Sequence, residues 1–391
     1  MGTGRPQAPA KLTTMIAPLD VPRRLLMGSG PSNAEPRVLQ ALAAQPMAGD
    51  DPGFGAFLEN LHSRFRKVFQ APDARAVAVS GASRSGLEAV IASVVEPGAC
   101  VLVGVYGHFG ELLCTLAARH GATVERVEAE WGSAVDTSAM AARIRQHPPR
   151  LVAIVHADTS TGILQPLSAI GEACRETGTL FLVDVVLSIG GCEVNVKQWA
   201  VDAAVGGLQK CLGGPPGLAL LTLSERFQAS LRRRPNSAYL DLARAHAHPA
   251  PMLFAAHEAL GMVLEEGLEA RWRRHAEASQ MLRAGLDAMG LERFGDAAHS
   301  VPMITLVKVP DGIDEAGVRA QLLEQHGIEI MAAFGPLRGR VWRIGSMGTN
   351  ARLPSVLAVL SGLESVLASR GFSIKRGAGV DAAVELSRQP L

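Results

Sequence analysis

The feature that most constrains this chain is an alternation that begins near residue 75, where short, mostly apolar runs trade places with amphipathic stretches. The apolar runs are Ala76 to Val79, Cys100 to Val105, Thr123 to Val127, Leu151 to Val155, Leu180 to Val185, Ala203 to Gly206 and Leu218 to Leu223. Helical periodicity fills the gaps at Ser85 to Val95, Phe109 to Arg119, Ser138 to Gln146 and Leu167 to Thr177. Strands without a polar face need cover on both sides, and the intervening helices supply it. The alternation therefore predicts an α/β fold of repeated βα units around a mostly parallel sheet. Ligands of such folds bind beyond the carboxyl ends of the strands.

After about residue 250 the rhythm changes. A helical stretch from Met252 to roughly Met289 precedes apolar runs at Met303 to Val309, Ile328 to Met331 and Val341 to Ile344, with helices at Glu315 to Gln325 and Leu353 to Ser369. Residues 1–22 read as an arm, 23–250 as a large α/β domain and 251–391 as a smaller C-terminal α+β domain, with weak periodicity after Gly371. A chain of 391 residues with 48% hydrophobic content is long enough for two lobes. Lys+Arg (38) and Asp+Glu (37) leave a formal net charge of +1, so no strong field draws the chain to nucleic acid or an acidic membrane, and a small molecule is the expected partner. The arm has no apolar stretch of signal-peptide length, and nowhere do about 18 uncharged apolar residues run together, which disfavours secretion and membrane spanning. Cys100, Cys114, Cys174, Cys192 and Cys211 form no CxxC pair and are odd in number. That suits buried thiols in a reducing compartment, with the cytoplasm as the expected location and no metal site called for.

Lys210 lies in Gly206-Gly207-Leu208-Gln209-Lys210-Cys211-Leu212-Gly213-Gly214-Pro215-Pro216-Gly217, one βα unit after an apolar strand that ends in Asp184. Most lysines are solvated surface charges, but the stretch Val201 to Leu208 has only Asp202 as a charge, and the glycines let the backbone approach a ligand. A desolvated lysine has a depressed pKa, which frees its nitrogen for imine formation. Asp184 is a charge set among Leu180, Phe181, Leu182, Val183, Val185, Val186 and Leu187, costly unless a cation or several donors meet it. Standing alone it would also read as a turn or helix-cap acid. Together the amine and the acid are what pyridoxal phosphate requires: the lysine carries the aldehyde as a Schiff base, and the carboxylate keeps the pyridine nitrogen protonated.

Ser80-Gly81-Ala82-Ser83-Arg84-Ser85-Gly86 lies between a strand and a helix, where free backbone N–H groups and hydroxyls would hold a phosphate. Its spacing is neither the Walker pattern nor GxGxxG, which argues against a nucleoside triphosphate and a dinucleotide. Arg84 would sit near that phosphate or in a surface ion pair. His156-Ala157-Asp158-Thr159-Ser160-Thr161-Gly162 offers hydroxyls and a histidine at the same sheet edge, or is an ordinary polar turn. Phe109 opens a helix where an aromatic would stack on a cofactor ring, although core packing is the commoner fate of phenylalanine. Arg343 lies in the strand-like Val341-Trp342-Arg343-Ile344-Gly345, whose alternation would leave it at the surface; turned into the cleft, its planar fork suits a substrate α-carboxylate.

This combination resembles the class V, fold type I aminotransferases, especially their alanine/serine-glyoxylate group and most closely the ureidoglycine-glyoxylate aminotransferases. The resemblance runs from Gly28-Ser29-Gly30-Pro31-Ser32-Asn33 to the last helix. It is carried by Ser83-Arg84-Ser85-Gly86-Leu87-Glu88-Ala89-Val90, Tyr106-Gly107-His108-Phe109-Gly110, Glu130-Trp131-Gly132, Ser160-Thr161-Gly162, Ile189-Gly190-Gly191-Cys192-Glu193-Val194 and Phe334-Gly335-Pro336-Leu337. It implies Lys210 as the Schiff-base lysine and proton shuttle, Asp184 as the pyridinium partner, Phe109 as the stacking ring and Thr159 near the phenolic oxygen. It also implies Ala82, Ser83, Arg84 and Gln209 around the phosphate, with Arg343, Gly30 and Asn33 on the substrate side. A homodimer with shared sites is implied as well.

Two stretches depart from that family. Ala48-Gly49-Asp50-Asp51-Pro52 stands where the ureidoglycine enzymes have a glutamine and an aromatic, and Arg244-Ala245-His246-Ala247 replaces a longer loop whose threonine reaches the neighbouring subunit's phosphate. Arg244 or His246 would take over as anion donor, and the changed pocket edge points to a donor other than ureidoglycine. The expected reaction is amino transfer from an amino acid to a small 2-oxo acid such as glyoxylate or pyruvate. The alternatives are β-elimination or decarboxylating oxidative deamination of a cysteine-type conjugate, and a binding or regulatory protein that kept the fold without turnover.

Overall fold

The strands Leu151–Val155, Leu180–Asp184, Ala203–Gly207 and Leu218–Leu223 are buried along their whole length, because helices cover both faces of the sheet they form. The computed structural model describes residues 19–235, 237–244 and 249–388. The sheet has seven strands, in the order Arg75–Ser80, Leu218–Leu223, Ala203–Gly207, Leu180–Asp184, Leu151–Val155, Cys100–Val105, Thr123–Glu128. Every pairing is parallel except those of Leu218–Leu223, which runs antiparallel to both neighbours. Ser80, Val105, Val155, Asp184 and Gly207 consequently share one edge of the sheet, where strands turn into helices or loops. Helix Ser83–Val94 lies close on the sheet through Gly86, where a Cβ would meet Ala219 at 2.8 Å and Val205 at 2.9 Å.

A second core gathers around Trp342, Met281, Leu360 and Leu363. It joins a three-stranded antiparallel sheet, Ile304–Lys308, Val341–Gly345 and Met331–Ala332, to helices Leu268–Ala288, Glu315–His326, Leu353–Ser369 and Ala378–Ser387. The expected run Ile328 to Met331 is really two short strands serving different sheets. Ile328–Glu329 pairs in parallel with Leu25–Leu26, whereas Met331–Ala332 pairs with Val341–Gly345.

Three expectations about organisation need correction. The stretch Met252 to Met289 is two helices, Ala250–Glu266 and Leu268–Ala288, because Gly267 takes φ 85° and ends the first. Leu253 to Val263 pack into the large-lobe core and Ala278 to Leu286 into the small one, so the cores part at Gly267 and not at residue 250. Met27 lies in the small-lobe core, so the start of the expected large domain is sewn to the small lobe. The tail forms helix Ala378–Ser387, with Ala383 buried and Gly379 close against Met289. Of the expected arm, residues 1–18 lie outside the described residues. No helix among the described residues is long and apolar enough to cross a membrane, and all five cysteines are free thiols.

Candidate active site

Lys210 follows the strand Ala203–Gly207 by three residues, on a turn held from both sides. Ser32 donates its backbone N–H to Gln209 O at 2.8 Å and its hydroxyl to Lys210 O at 2.7 Å. The Lys210 amine donates to the carbonyl of Ser29. Gly30, at φ 105°, lies against the lysine so closely that any side chain there would collide with the amine, which places this expected residue at the site. Asn33 is not brought to the cavity. Its amide is spent holding the loop: Oδ1 accepts from Leu26 N at 2.9 Å and Asn350 Nδ2 at 2.8 Å, and Nδ2 donates to Arg24 O at 2.9 Å.

The other residues expected around a cofactor line one cavity of about 190 Å³ with Lys210. Ala82, Ser83 and Arg84 bring the start of helix Ser83–Val94, whose N-cap residue Ala82 has no side chain to satisfy the first backbone N–H groups. Gln209 joins this end by donating to Ser83 Oγ at 3.0 Å. Phe109, Thr159 and Asp184 complete the lining. Asp184 is 5% exposed and its carboxylate accepts a single hydrogen bond, from Val186 N at 2.9 Å. Burial raises its pKa to about 7, helped by the charge of Asp158 and opposed by Lys210. Burial and the Arg343 charge lower Lys210 to about 8. A carboxylate short of donors and an amine ready to lose its proton thus face the same small space.

Two residues of the run His156 to Gly162 do work that the sequence reading did not assign. Helix His108–Arg119 begins after Gly107, which has no capping side chain. The cap comes instead from a hairpin, Ala157–Asp158 with Ile163–Leu164. Asp158 Oδ2 accepts from Phe109 N at 3.2 Å, and Ser160 Oγ accepts from His108 N at 2.9 Å while donating to Asp158 Oδ1 at 2.6 Å. The fully buried Asp158 therefore fixes Phe109 through its backbone and presents Thr159 beside it. A helix start with glycine in the cap position was the signal that a donor-hungry terminus needed a distant partner. His156 stays outside the cavity lining, its ring against Trp199 at 4.8 Å, and burial lowers its pKa to about 3.

Arg343 points inward. It is 3% exposed, because both faces of Val341–Gly345 are covered. Nε donates to Ala332 O at 2.8 Å, Nη1 to Thr159 O at 3.1 Å, and the guanidinium lies 4.2 Å from the ring centre of Phe334. His108 stacks on Phe334 at 4.5 Å. Of the departing stretches, Asp51 caps helix Pro52–Val68 through Gly53 N at 2.7 Å. Arg244 pairs with Asp241 at 3.1 Å, and residues 245–248, His246 included, lie outside the described residues.

A cavity at the carboxyl edge of this mostly parallel sheet, beside a smaller α+β lobe, is the architecture of the fold type I aminotransferases. The chain belongs to the class V aminotransferase family, whose description "Aminotransferase class-V" matches residues 51–337. It is 41% identical over 400 residues to the (S)-ureidoglycine–glyoxylate transaminase of Bacillus subtilis (strain 168), covering 94% of this chain and 96% of that one. The crystal structure of ureidoglycine-glyoxylate aminotransferase from Bacillus subtilis superposes with a TM-score of 0.93 at 43% identity, covering 95% of this chain and 100% of that one. That of alanine–glyoxylate aminotransferase from Nostoc sp. gives 0.88 at 39%, covering 92% and 100%.

Proposed function

We propose that this aminotransferase uses pyridoxal phosphate to move an amino group from an amino acid to a small 2-oxo acid, glyoxylate or pyruvate, and that Lys210 and Asp184 are its catalytic residues. The observation that carries this reading is the pairing of an under-satisfied buried carboxylate with a pKa-lowered amine in one cavity, beside an uncapped helix start. Those residues fit the cofactor's three ends: an anion, a ring N–H and an aldehyde. When bound, pyridoxal phosphate supplies an electrophilic carbon and a ring that takes up the electron pair released at the substrate's Cα.

The first N–H groups of helix Ser83–Val94, with Ser83, Gln209 and Arg84, would hold the phosphate. Asp184 would accept a ring N–H, the donor its carboxylate lacks in the protein alone. Phe109 and Thr159, also in the cavity lining, would hold the ring between them. Lys210 Nζ accepts the proton from the substrate's Cα, a role that suits an amine brought near neutrality by burial. Arg343, with Nε and Nη1 anchored on carbonyls, turns its remaining edge to the α-carboxylate. The glyoxylate-using relatives named above support glyoxylate as the acceptor. Exposed Leu39 and Tyr239 are read as facing a second copy in a homodimer, and the free thiols support a cytoplasmic location.

The test is to mix the yellow protein with a panel of amino acids and amines and then add glyoxylate or pyruvate. A donor should discharge the colour and the acceptor restore it, with glycine or alanine identified by mass. Product formation that needs no 2-oxo acid would move the reading to elimination or oxidative deamination. Lys210→Ala should lose the visible absorbance and fall in turnover by about 10⁴-fold; a variant that kept both would remove Lys210 from its role.

A further inference from the structure

Behind Lys210, on the side away from the cavity, lies a buried polar cluster that the reaction does not touch. Helix Leu268–Ala288 starts at the Gly267 break, and its first two turns carry Arg271, Arg274 and His275. Arg271 is 6% exposed and donates Nη2 to the carbonyl of Cys211, the residue after Lys210, at 2.6 Å. His275 is fully buried. Its Nδ1 faces Arg271 O at 2.8 Å and so carries the proton, which leaves Nε2 to accept from Gly348 N at 3.0 Å. Arg274 Nη1 donates to Gly348 O and Ala351 O, both at 2.9 Å. Glu266, on the helix that belongs to the large-lobe core, accepts from Arg271 at 2.5 Å and Arg274 at 2.6 Å.

The backbone groups gripped here have a pattern. Cys211 O belongs to the turn that presents Lys210, and Gly348 lies three residues beyond the strand that presents Arg343. The two segments touch: a Cβ on Gly348 would stand 3.1 Å from Lys210 O and 3.3 Å from Gly213 Cα. One helix terminus therefore holds, by directional bonds, the peptide behind the amine and the peptide behind the guanidinium. Apolar side chains of the same volume would fill the space without fixing how far one segment slides past the other, whereas bonds to named carbonyls and an N–H do fix it. Glu266 offsets the cost of burying the arginine charges.

We propose that Arg271, Arg274 and His275 are positioning residues that set the Lys210 amine against the Arg343 guanidinium across the join of the two lobes. The claim rests on the roles given above to Lys210 and Arg343. Arg271→Lys offers one nitrogen where Nη1 and Nη2 separately serve Glu266 and Cys211 O, and His275→Ala abandons Gly348 N and Arg271 O, so both variants should let the two segments shift. His275→Gln keeps an acceptor for Gly348 N and a donor for Arg271 O, and should behave as the parent.

The experiment measures, on full-length protein, the pH dependence of pyridoxal phosphate capture by the apoprotein and the steady-state constants of the loaded enzyme. In the parent, capture should titrate with the Lys210 amine near pH 8. Arg271→Lys and His275→Ala should move that midpoint upward as the turn opens to water. They should also raise the donor KM about tenfold, with kcat/KM falling by up to about a hundredfold, the scale of a displacement of about 1 Å. His275→Gln should restore both readings. If Arg271→Lys folds with the parent's melting temperature and leaves the midpoint and KM unmoved, the cluster is merely structural and the proposal fails; that variant also decides the matter should His275→Ala not fold. Failure of the Lys210 assignment looks different: borohydride reduction of the loaded parent would then leave no cofactor on the peptide containing residue 210.

Discussion

Asp184, at the end of one strand, and Asp202, just ahead of its parallel neighbour Ala203–Gly207, are two buried aspartates at opposite edges of one sheet, and only Asp184 lines the cavity with Lys210. Asp202 is 3% exposed and fully served: Oδ2 accepts from Phe181 N at 2.9 Å and from Arg226 Nη2, and Oδ1 accepts from Ser224 Oγ at 2.7 Å and Arg226 Nε at 3.0 Å. Asp184, 5% exposed, has one bond, from Val186 N. The cleft beside Asp202 is the roomier, about 420 Å³ against 190 Å³, yet its Arg226–Asp202 and Lys197–Asp73 pairs are already closed. Unmet hydrogen-bonding capacity, rather than room, separates a carboxylate that awaits a ligand from one that staples strands together.

The sharpest way to break that contrast is Asp184→Asn. Turnover should fall by about 10³-fold, because the neutral amide cannot balance a protonated ring nitrogen. The apoprotein should become more stable at pH 8. In the folded apoprotein Asp184 titrates near 7, above its ordinary 3.8. Its contribution to stability is therefore full below the unfolded value and is lost as pH climbs through the folded one, a span worth at most ~4 kcal/mol. Urea midpoints of the two apoproteins should diverge between pH 4 and 7 and then run parallel; coincident curves would mean that Asp184 is satisfied after all. Asp202→Asn should do the reverse. It should lower stability by about 2–3 kcal/mol, softened by the partial solvent access of Arg226, and leave kcat near the parent's. A collapse of activity in folded Asp202→Asn would abolish the distinction.

Smaller effects sharpen the picture at the pocket edge. Arg343→Lys should raise the donor KM about tenfold while moving kcat less, since an ammonium cannot hold two carbonyls and a carboxylate in one plane. An unchanged KM would take the substrate carboxylate elsewhere. Arg244→Ala should be the mildest, within about 1 kcal/mol in stability and without effect on cofactor retention, because the Arg244 side chain is largely in solvent and the buried Asp241 keeps its bond from Ala243 N at 3.0 Å. Faster loss of cofactor would show that Arg244 reaches the site of another copy.

Much of the large lobe was legible because its central strands are continuous apolar runs, and Lys210, Asp184 and the Ala82–Arg84 turn could be placed at one sheet edge because each follows such a run. What escaped depends on contacts between distant segments. The alternation rule alone would leave Arg343 at the surface, and only the resemblance turned it inward, because Val341–Gly345 has no solvent face and the guanidinium is bedded on Phe334. Asn33 lay in a motif shared with the site but serves Leu26, Arg24 and Asn350. Gly267, inside an otherwise helical pattern, ended a helix because it reaches φ 85°, a conformation that periodicity does not record. The helix Ala378–Ser387 has its apolar face satisfied by docking against Leu268–Ala288 and Leu353–Ser369, which no local window reveals.

Gly107 carries a consequence for anyone who would retune this enzyme. A Cβ there would sit 2.5 Å from Ser160 Oγ and 2.6 Å from Asp158, the very atoms that anchor Phe109. A side chain at 107 will therefore displace Asp158 and Ser160, while changes at 158–160 will move Phe109 and Thr159 together. Evolution of new substrate preference along this wall must move two functions in one step or leave the wall alone.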